Sequence, residues 1–430
     1  MPKLFTNIDE KLCVRAVLDC FSQKWQRGDI LSFIEEWAGI DRAVFRKKAF
    51  EGSAELKMEA ANTIGMALYD VIDDICAGRD LGDLIAPVKI ETRIDGNSGK
   101  ERHIATLDIW HQLIGHVTKL SLDKLFHARI YPTQHASIPG RGQTRLKDQT
   151  RRYLLRDSLQ IRFIQKTDVR HAYESTKYQV LCDLIRKEVP RARKTLKLVA
   201  FLGKIAPEGH LIIGGYIDAW LFNYAMSYAL REMYGYGHER RGIIILYVRR
   251  IETYMDDFGV MASTKSGLAK AVKKLNSWLD KNLHLNLKMS TGIIELDSCD
   301  IEKTKRKERK SSMRACPGLD MGGYVIHRTY ITIRARVFLR ARRQWLRAAR
   351  EIKETGTMHL YRAQKIIAYN GFLEQSDSRK IKIKYRTEQL LAVAKKVVSF
   401  YGRLESKRRE EAVNAAYKCY CNRKARCCYT

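Results

Sequence analysis

Long apolar runs are missing from this sequence. Its most hydrophobic stretches, such as Ile243–Val248, fall far short of the ~20 residues an α-helix needs to cross a bilayer, so no membrane role is expected. Proline is scarce, with 7 among 430 residues, and no internal repeat or low-complexity linker is visible, which leaves little hard punctuation between elements. The opening Met1-Pro2-Lys3 leads straight into mixed polar sequence without the apolar region of a signal peptide. The 10 cysteines lack the spacing of a disulfide framework, and reduced thiols in a cytoplasmic compartment are the expectation. Acidic residues are also short: 48 Asp and Glu stand against 79 Lys and Arg, a net charge of +31. Such a surplus favours a polyanionic partner, nucleic acid above all.

What is present reads as a folded chain, 45% hydrophobic and long enough for more than one core. From Asp9 to Cys76 apolar residues such as Ile30, Phe33, Ile34 and Trp37 recur at helical spacing. Val88–Ile94 alternates apolar and polar, as a half-buried strand does. The loop Asp95–Gly99 then turns it into a β-hairpin with Lys100 and Arg102 on the returning side. A helix over Leu107–Phe126, the turn Pro139-Gly140-Arg141-Gly142 and a basic helix over Thr144–Arg156 follow. Strand-like runs at Ile161–Thr167, at Ile243–Val248 and from Phe258 onward are separated by helices, which predicts an α/β domain with a mixed or antiparallel sheet.

From Arg334 onward the chain reads as helical and basic. Arg336, Arg340, Arg343, Arg347 and Arg350 recur at steps of four and three and share one helix face, while Phe338, Ala341, Trp345 and Ala348 keep the same rhythm on another. A helix that buries one stripe and shows guanidinium groups on the other is suited to phosphates. Near the end, Cys419, Cys421, Cys427 and Cys428 could in principle supply four thiolates to zinc. Their C-x-C and C-C spacing is not the paired C-x-x-C of a zinc ribbon, and free thiols are the plainer reading.

The strongest local signal is Tyr254-Met255-Asp256-Asp257, between a strand-forming run and Phe258–Met261. Adjacent carboxylates repel each other, and a divalent cation with hard oxygen ligands removes the conflict. Asp168 ends the strand-like run that starts near Ile161. Asp168, Asp256 and Asp257, coming from two strands, could therefore hold two Mg²⁺ ions. One would lower the pKa of a primer 3′-hydroxyl and the other would steady a leaving pyrophosphate.

Asp168 to Tyr173 and Tyr254 to Asp257 together resemble motifs A and C of reverse transcriptases. Further segments resemble that family in the right order: Gly99 to Ile104 with Asp108, His111 and Gln112, then Ile138 to Gly142, Ile213-Gly214-Gly215-Tyr216 (motif B), Leu283 to Lys288 (motif D) and Gly322-Gly323-Tyr324-Val325 (motif E). Tyr369 to Leu373 and Ser376-Asp377-Ser378 resemble thumb sequences of prokaryotic members. The resemblance runs from about residue 88 to about residue 380. It implies a right-hand polymerase fold of the α/β class, with an antiparallel palm sheet, helical fingers carrying a β-hairpin and an all-helical basic thumb. The corresponding blocks are an N-terminal helical region at 1–80, fingers at 81–160, palm at 161–330, and thumb with tail at 331–430.

The resemblance also implies roles. Asp168, Asp256 and Asp257 would be catalytic and, with the backbone of Val169, would bind two Mg²⁺, for which Mn²⁺ could substitute. Lys100, Arg102, Tyr173, Gly214, Gly215 and Lys288 would meet the incoming deoxynucleoside triphosphate, with Tyr173 as a steric gate against a 2′-hydroxyl. Arg141, Tyr254, Gly323, Tyr324 and the arginine face of the thumb would contact nucleic acid. The implied partners are an RNA template, expected to be a noncoding RNA, the DNA product, and a second copy or accessory protein. The family also suggests a stand-alone prokaryotic enzyme of the antiviral-defence or unclassified group. Asp218-Ala219 departs from the usual motif B, and that carboxylate could turn toward an arginine or reshape template choice. Three other readings stay open: an untemplated or protein-primed polymerase, a diversity-generating enzyme, and an inactive RNA-binding scaffold.

Overall fold

A computed structural model describes residues 3–94, 101–288, 292–296 and 318–427, with side chains as far as Cys421. Helices α1 (Glu10–Phe21), α2 (Gly28–Ala38), α3 (Arg42–Phe50) and α4 (Ala54–Ala77) come first, as the apolar spacing predicts. Their boundaries follow from capping. Asp9, Asp41 and Ser53 accept hydrogen bonds from the first free N–H groups of α1, α3 and α4, and Gly39 and Gly78 end α2 and α4 in the left-handed conformation. The hairpin β1 (Lys89–Ile94) and β2 (Glu101–Thr106) precedes α5 (Ile109–Arg129), which Asp108 caps, and the basic helix α6 (Gln143–Arg156).

Strand β3 (Phe163–Val169) is followed by α7 (Ala172–Ser175), α8 (Tyr178–Glu188), α9 (Arg193–Ile205) and α10 (Tyr216–Gly235). Then come β4 (Gly237–Arg240), β5 (Ile243–Leu246), β6 (Arg250–Tyr254), β7 (Asp257–Ala262), α11 (Lys265–Leu283), β8 (Leu287–Lys288) and β9 (Ile294–Glu295). The chain closes with β10 (Leu319–Met321), β11 (Tyr324–Ile326), β12 (Ile331–Ile333), α12 (Ala335–Thr355), α13 (Leu360–Glu374), α14 (Arg379–Tyr385) and α15 (Thr387–Cys427). No helix among the described residues is long and apolar enough to cross a membrane.

The chain forms two compact units, each discontinuous in sequence: one takes the chain up to Ile130, Tyr173–Ala225 and everything from Ser406, the other Tyr131–Ala172 and Met226–Glu405. The chain passes from one unit to the other more than once.

The first unit is helical around buried Phe21, Ile34, Phe45, Ile64, Leu68 and Phe126. Gly65 lets α4 lie against α1, since a Cβ there would come within 2.8 Å of the Val14 Cα. Its hairpin departs from the expectation of a half-buried strand. Every residue of β1 is exposed, because β1 and β2 pair only with each other and, among the described residues, no third strand joins them.

The second unit holds the antiparallel sheet, in the order β6-β7-β3-β8 with β9 also on β3. Ile243–Val248 does not join it. β5 pairs with β4 in a separate hairpin that leaves Ile243 and Ile244 exposed, and β6 takes the place beside β7. A three-stranded sheet, β10-β11-β12, packs near β7 at Gly259, where a Cβ would stand 2.8 Å from Leu319 Cδ2 and 2.9 Å from Met321 Sδ. A separate core joins α12, α13, α14 and the start of α15 around Trp345, Ala348, Ile366 and Ala394. On α12, Ala341, Trp345 and Ala348 are buried, Phe338 is half-buried, Arg336, Arg343, Arg347 and Arg350 are exposed and Arg340 is half-exposed, as the two-faced pattern predicts.

Candidate active site

The arrangement of carboxylates follows from strand register. β3 and β7 run antiparallel with Asp168 opposite Asp257, and β6 and β7 are joined by a two-residue turn, Met255-Asp256, between the paired residues Tyr254 and Asp257. Met255 has φ 55, the left-handed region that a branchless glycine would occupy more easily. A non-glycine residue there costs ~1–2 kcal/mol, and such local strain clusters where a side chain has to be aimed. The Val169 N–H donates to the Asp256 carbonyl at 3.0 Å, which ties the turn to the end of β3.

The side chains fall into two pairs. Asp256 shares a hydrogen bond with Asp168, and its carboxyl is pushed up to about 7, first by burial and then by the neighbouring charges of Asp168 and Asp257. Asp257 is also raised by burial, but Lys166 Nζ lies 2.9 Å from its Oδ1 and holds it down, helped by Arg334. Asp168 Oδ1 is buried without a hydrogen-bond partner. Among the described residues no three His, Cys, Asp or Glu side chains converge tightly enough to enclose an ion by themselves, which agrees with Lys166 drawing Asp257 to itself. The Asp168–Asp256 pair, with an orphaned oxygen and a mutual repulsion, fits a divalent cation. Asp257 would join once its ion pair with Lys166 opens.

The surroundings brace this centre. Lys288, on β8, stands in register with Asp168, and its side chain is exposed. On the other side, Thr133–His135 runs beside β6: the His135 N–H donates to the Thr253 carbonyl and the Thr253 N–H to the Thr133 carbonyl. Within that packing His135 Nε2 lies 2.6 Å from Glu252 Oε2, both fully buried, and the Arg250 Nε donates to Glu252 Oε1 at 2.7 Å. Arg328 is 2% exposed and donates to the carbonyls of Leu154 and Ile161, pinning the end of α6 to the approach to β3. Neither network was found by sequence reasoning; a buried arginine and a buried His–Glu pair leave no local pattern.

Three expected nucleic-acid contacts are placed differently. Arg141 turns inward, its NH1 donating to the carbonyls of Tyr131 at 2.6 Å and Gln134 at 2.8 Å, so it closes its own loop. Tyr324 is 4% exposed and packs in the core beside Phe372, because β11 is the central strand of its sheet. Tyr254 is half-buried against the same core. Gly322 and Gly323, at φ 59 and φ 86, form the tight turn of β10-β11, and a Cβ on Gly323 would stand 2.7 Å from Phe372 Cε1.

In the first unit, Arg102 is exposed on β2, and Lys100 lies outside the described residues. Tyr173 is half-buried and stacks on Phe222, ring centroids 5.4 Å apart. Gly214 has φ 118, and a Cβ there would stand 2.8 Å from the Ala105 carbonyl oxygen, so glycine lets this turn bond to β2. The Ala105 N–H donates to the Ile213 carbonyl at 2.8 Å. Asp218 is 1% exposed and points to neither an arginine nor the surface. Its Oδ1 accepts from the Tyr178 hydroxyl at 2.9 Å and the Ile212 N–H at 2.8 Å, and its Oδ2 fills the space a Cβ of Gly215 would need. Burial pushes that carboxyl up to about 6, against the pull of these donors. At the far end of the chain Cys419 and Cys421 are exposed; the Cys427 side chain and Cys428 lie outside the described residues.

No protein family matches the sequence, and no curated protein matches it. Solved structures to which the chain is similar include apo telomerase from Candida tropicalis, with a TM-score of 0.42 and 9% identity, covering 96% of this chain and 84% of that one. The same telomerase truncated from its C-terminal domain gives a TM-score of 0.38 and 11% identity, covering 78% of this chain and 84% of that one. Likenesses this slight carry no weight for fold or function.

Proposed function

We propose that the chain is a template-directed nucleotidyltransferase of the reverse-transcriptase kind, copying RNA into DNA. One observation carries the reading: Asp168 on β3 stands in register with Asp257 on β7, and a turn with Met255 at φ 55 brings the Asp256 side chain to a hydrogen bond with Asp168. The ordered motif set and the surplus of 79 basic over 48 acidic residues support it. In this reading Asp168 and Asp256, joined by Asp257, hold Mg²⁺, which when bound acidifies a primer hydroxyl and neutralises a departing pyrophosphate. Lys166 favours the ionised form of Asp257 and releases it when the ion binds, and Lys288 offers its cation at the edge of the same strand pair. The exposed arginine face of α12 supplies sequence-independent grip on phosphates. A noncoding RNA template and an antiviral setting are extensions of this proposal that rest on the sequence resemblance alone.

The test is primer extension by the full chain on a defined RNA template with deoxynucleoside triphosphates and Mg²⁺, followed by sequencing of the product. Complementary DNA that disappears in the Asp256→Ala, Asp257→Ala variant is the expected result. Product unrelated to the template would replace copying by untemplated synthesis, and product retained in the variant would overturn the assignment of the carboxylates.

A further inference from the structure

A cleft of about 660 Å³ opens in the second unit between β12, the start of α12 and α14, and shares no residue with the carboxylate centre. Its volume lies within the ~300–1,000 Å³ typical of small-molecule sites. Ile333, Phe338, Ile381 and Tyr385 make apolar and aromatic walls, and Asp377, Ser378, Lys380 and Lys384 are its main polar groups. Each polar group has a definite state. Asp377 Oδ2 accepts the Ile331 N–H at 2.8 Å and its own N–H donates to the Ile331 carbonyl, so one oxygen of this exposed carboxylate is anchored at the wall. Oδ1 has no partner among the described residues.

Lys380 and Lys384 are one helical turn apart on α14, so both reach the same side. Among the described residues neither has an acidic partner, whereas Lys382, between them on the helix, is bonded to Glu374 at 2.7 Å. Apolar walls with an aromatic lining suit a flat heteroaromatic ring. A carboxylate oxygen accepts N–H groups and rejects acceptors, and two exposed ammonium groups without an acidic partner among the described residues, Lys384 Nζ standing 5.8 Å from the Tyr385 ring centroid, favour an anion.

We propose that this cleft binds a guanine nucleotide. The base lies against Phe338 and Tyr385, its N1–H and amino group donate to Asp377 Oδ1, and its phosphate sits between Lys380 and Lys384. Uracil presents a carbonyl where guanine presents its amino group, so the site discriminates between them. The same chemistry is offered by a free nucleotide and by an unpaired guanosine in an RNA strand.

Equilibrium dialysis of radiolabelled guanosine monophosphate against the full chain, with EDTA present, tests the site without involving divalent metal. One nucleotide per chain is expected, bound about tenfold or more tighter than uridine monophosphate. Binding should weaken by about tenfold or more both in Lys380→Ala, Lys384→Ala and in Ala335→Trp, where an indole from an exposed lining position fills the cleft. The Asp256→Ala, Asp257→Ala variant should bind as the wild type does, so this result and the polymerase reading fail separately. A second arm uses an RNA hairpin with a single bulged guanosine or uridine. Guanosine preference in this arm alone, lost in both cleft variants, assigns the site to an unpaired nucleotide of a strand. No preference for guanine in either arm, or binding that survives both variants, overturns the proposal.

Discussion

Two carboxylates, buried Asp218 in one unit and half-buried Asp256 in the other, are pushed in the same direction with opposite neighbours. Asp218 and Asp256 are both raised, with burial as the largest cause. Around Asp218 the remaining influences lower it, since Tyr178 and the Ile212 N–H donate to the ionised oxygen. Around Asp256 they raise it further, since Asp168 and Asp257 face it with charge of the same sign. Asp218, with two donors on Oδ1 and Oδ2 buried without a partner, is tied into the scaffold through one oxygen. Asp256, held against other carboxylates on a turn with a residue at φ 55, stands there at a cost to stability, and the proposed cation would offset it.

If the comparison holds, the largest loss of stability comes from Asp218→Ala, which leaves the Tyr178 hydroxyl and the Ile212 N–H buried and unpaired. A loss of about 3–4 kcal/mol is expected in chemical denaturation; a change below about 1 kcal/mol would remove Asp218 from the scaffold.

Next comes the dependence on pH. The Asp218 carboxyl titrates at about 6 in the folded chain against an ordinary 3.8, so the folded state holds the proton more tightly than the unfolded state. Its contribution is fully present below about pH 4 and is lost as pH rises through about 6, at ~1.4 kcal/mol per unit. Relative to Asp218→Asn, the wild type should lose about 3 kcal/mol between pH 4 and pH 7. Stability curves that stay parallel would mean that the carboxyl is not shifted.

The smallest effect belongs to the turn. Met255→Gly relieves the positive φ and should stabilise the chain by about 1 kcal/mol while slowing nucleotide addition, because Asp256 is then aimed less firmly. A destabilised Met255→Gly protein would show that the methionine side chain, and not strain, defines the turn.

The elements around the carboxylate centre were legible because they leave local patterns. β3 and β7 show as apolar runs beside Asp168 and Asp257, and α12 shows as two stripes of different chemistry, whereas β6, Arg250-Ile-Glu-Thr-Tyr254, has no apolar run and its place was given to Ile243–Val248. What distant residues decide was not legible. The ion pair of Lys166 with Asp257 depends on the register of β3 against β7. The partners of Asp218 include Tyr178, 40 residues away in sequence, so the choice between an arginine and the template could not be made from the neighbourhood of Asp218. Arg141 reads as a cation facing nucleic acid until its loop closes on it, and Tyr324 reads as a contact residue until the three-stranded sheet places it inside. Alternation promised β1 a buried face, and every residue of β1 is exposed.

The most direct test measures Asp256→Asn and the wild type side by side for RNA-templated primer extension and for thermal unfolding. The account predicts extension lost by about 10³-fold or more, with a melting temperature equal to or above that of the wild type because a repelling charge has been removed. Extension retained in Asp256→Asn, or lost only together with the fold, would contradict it.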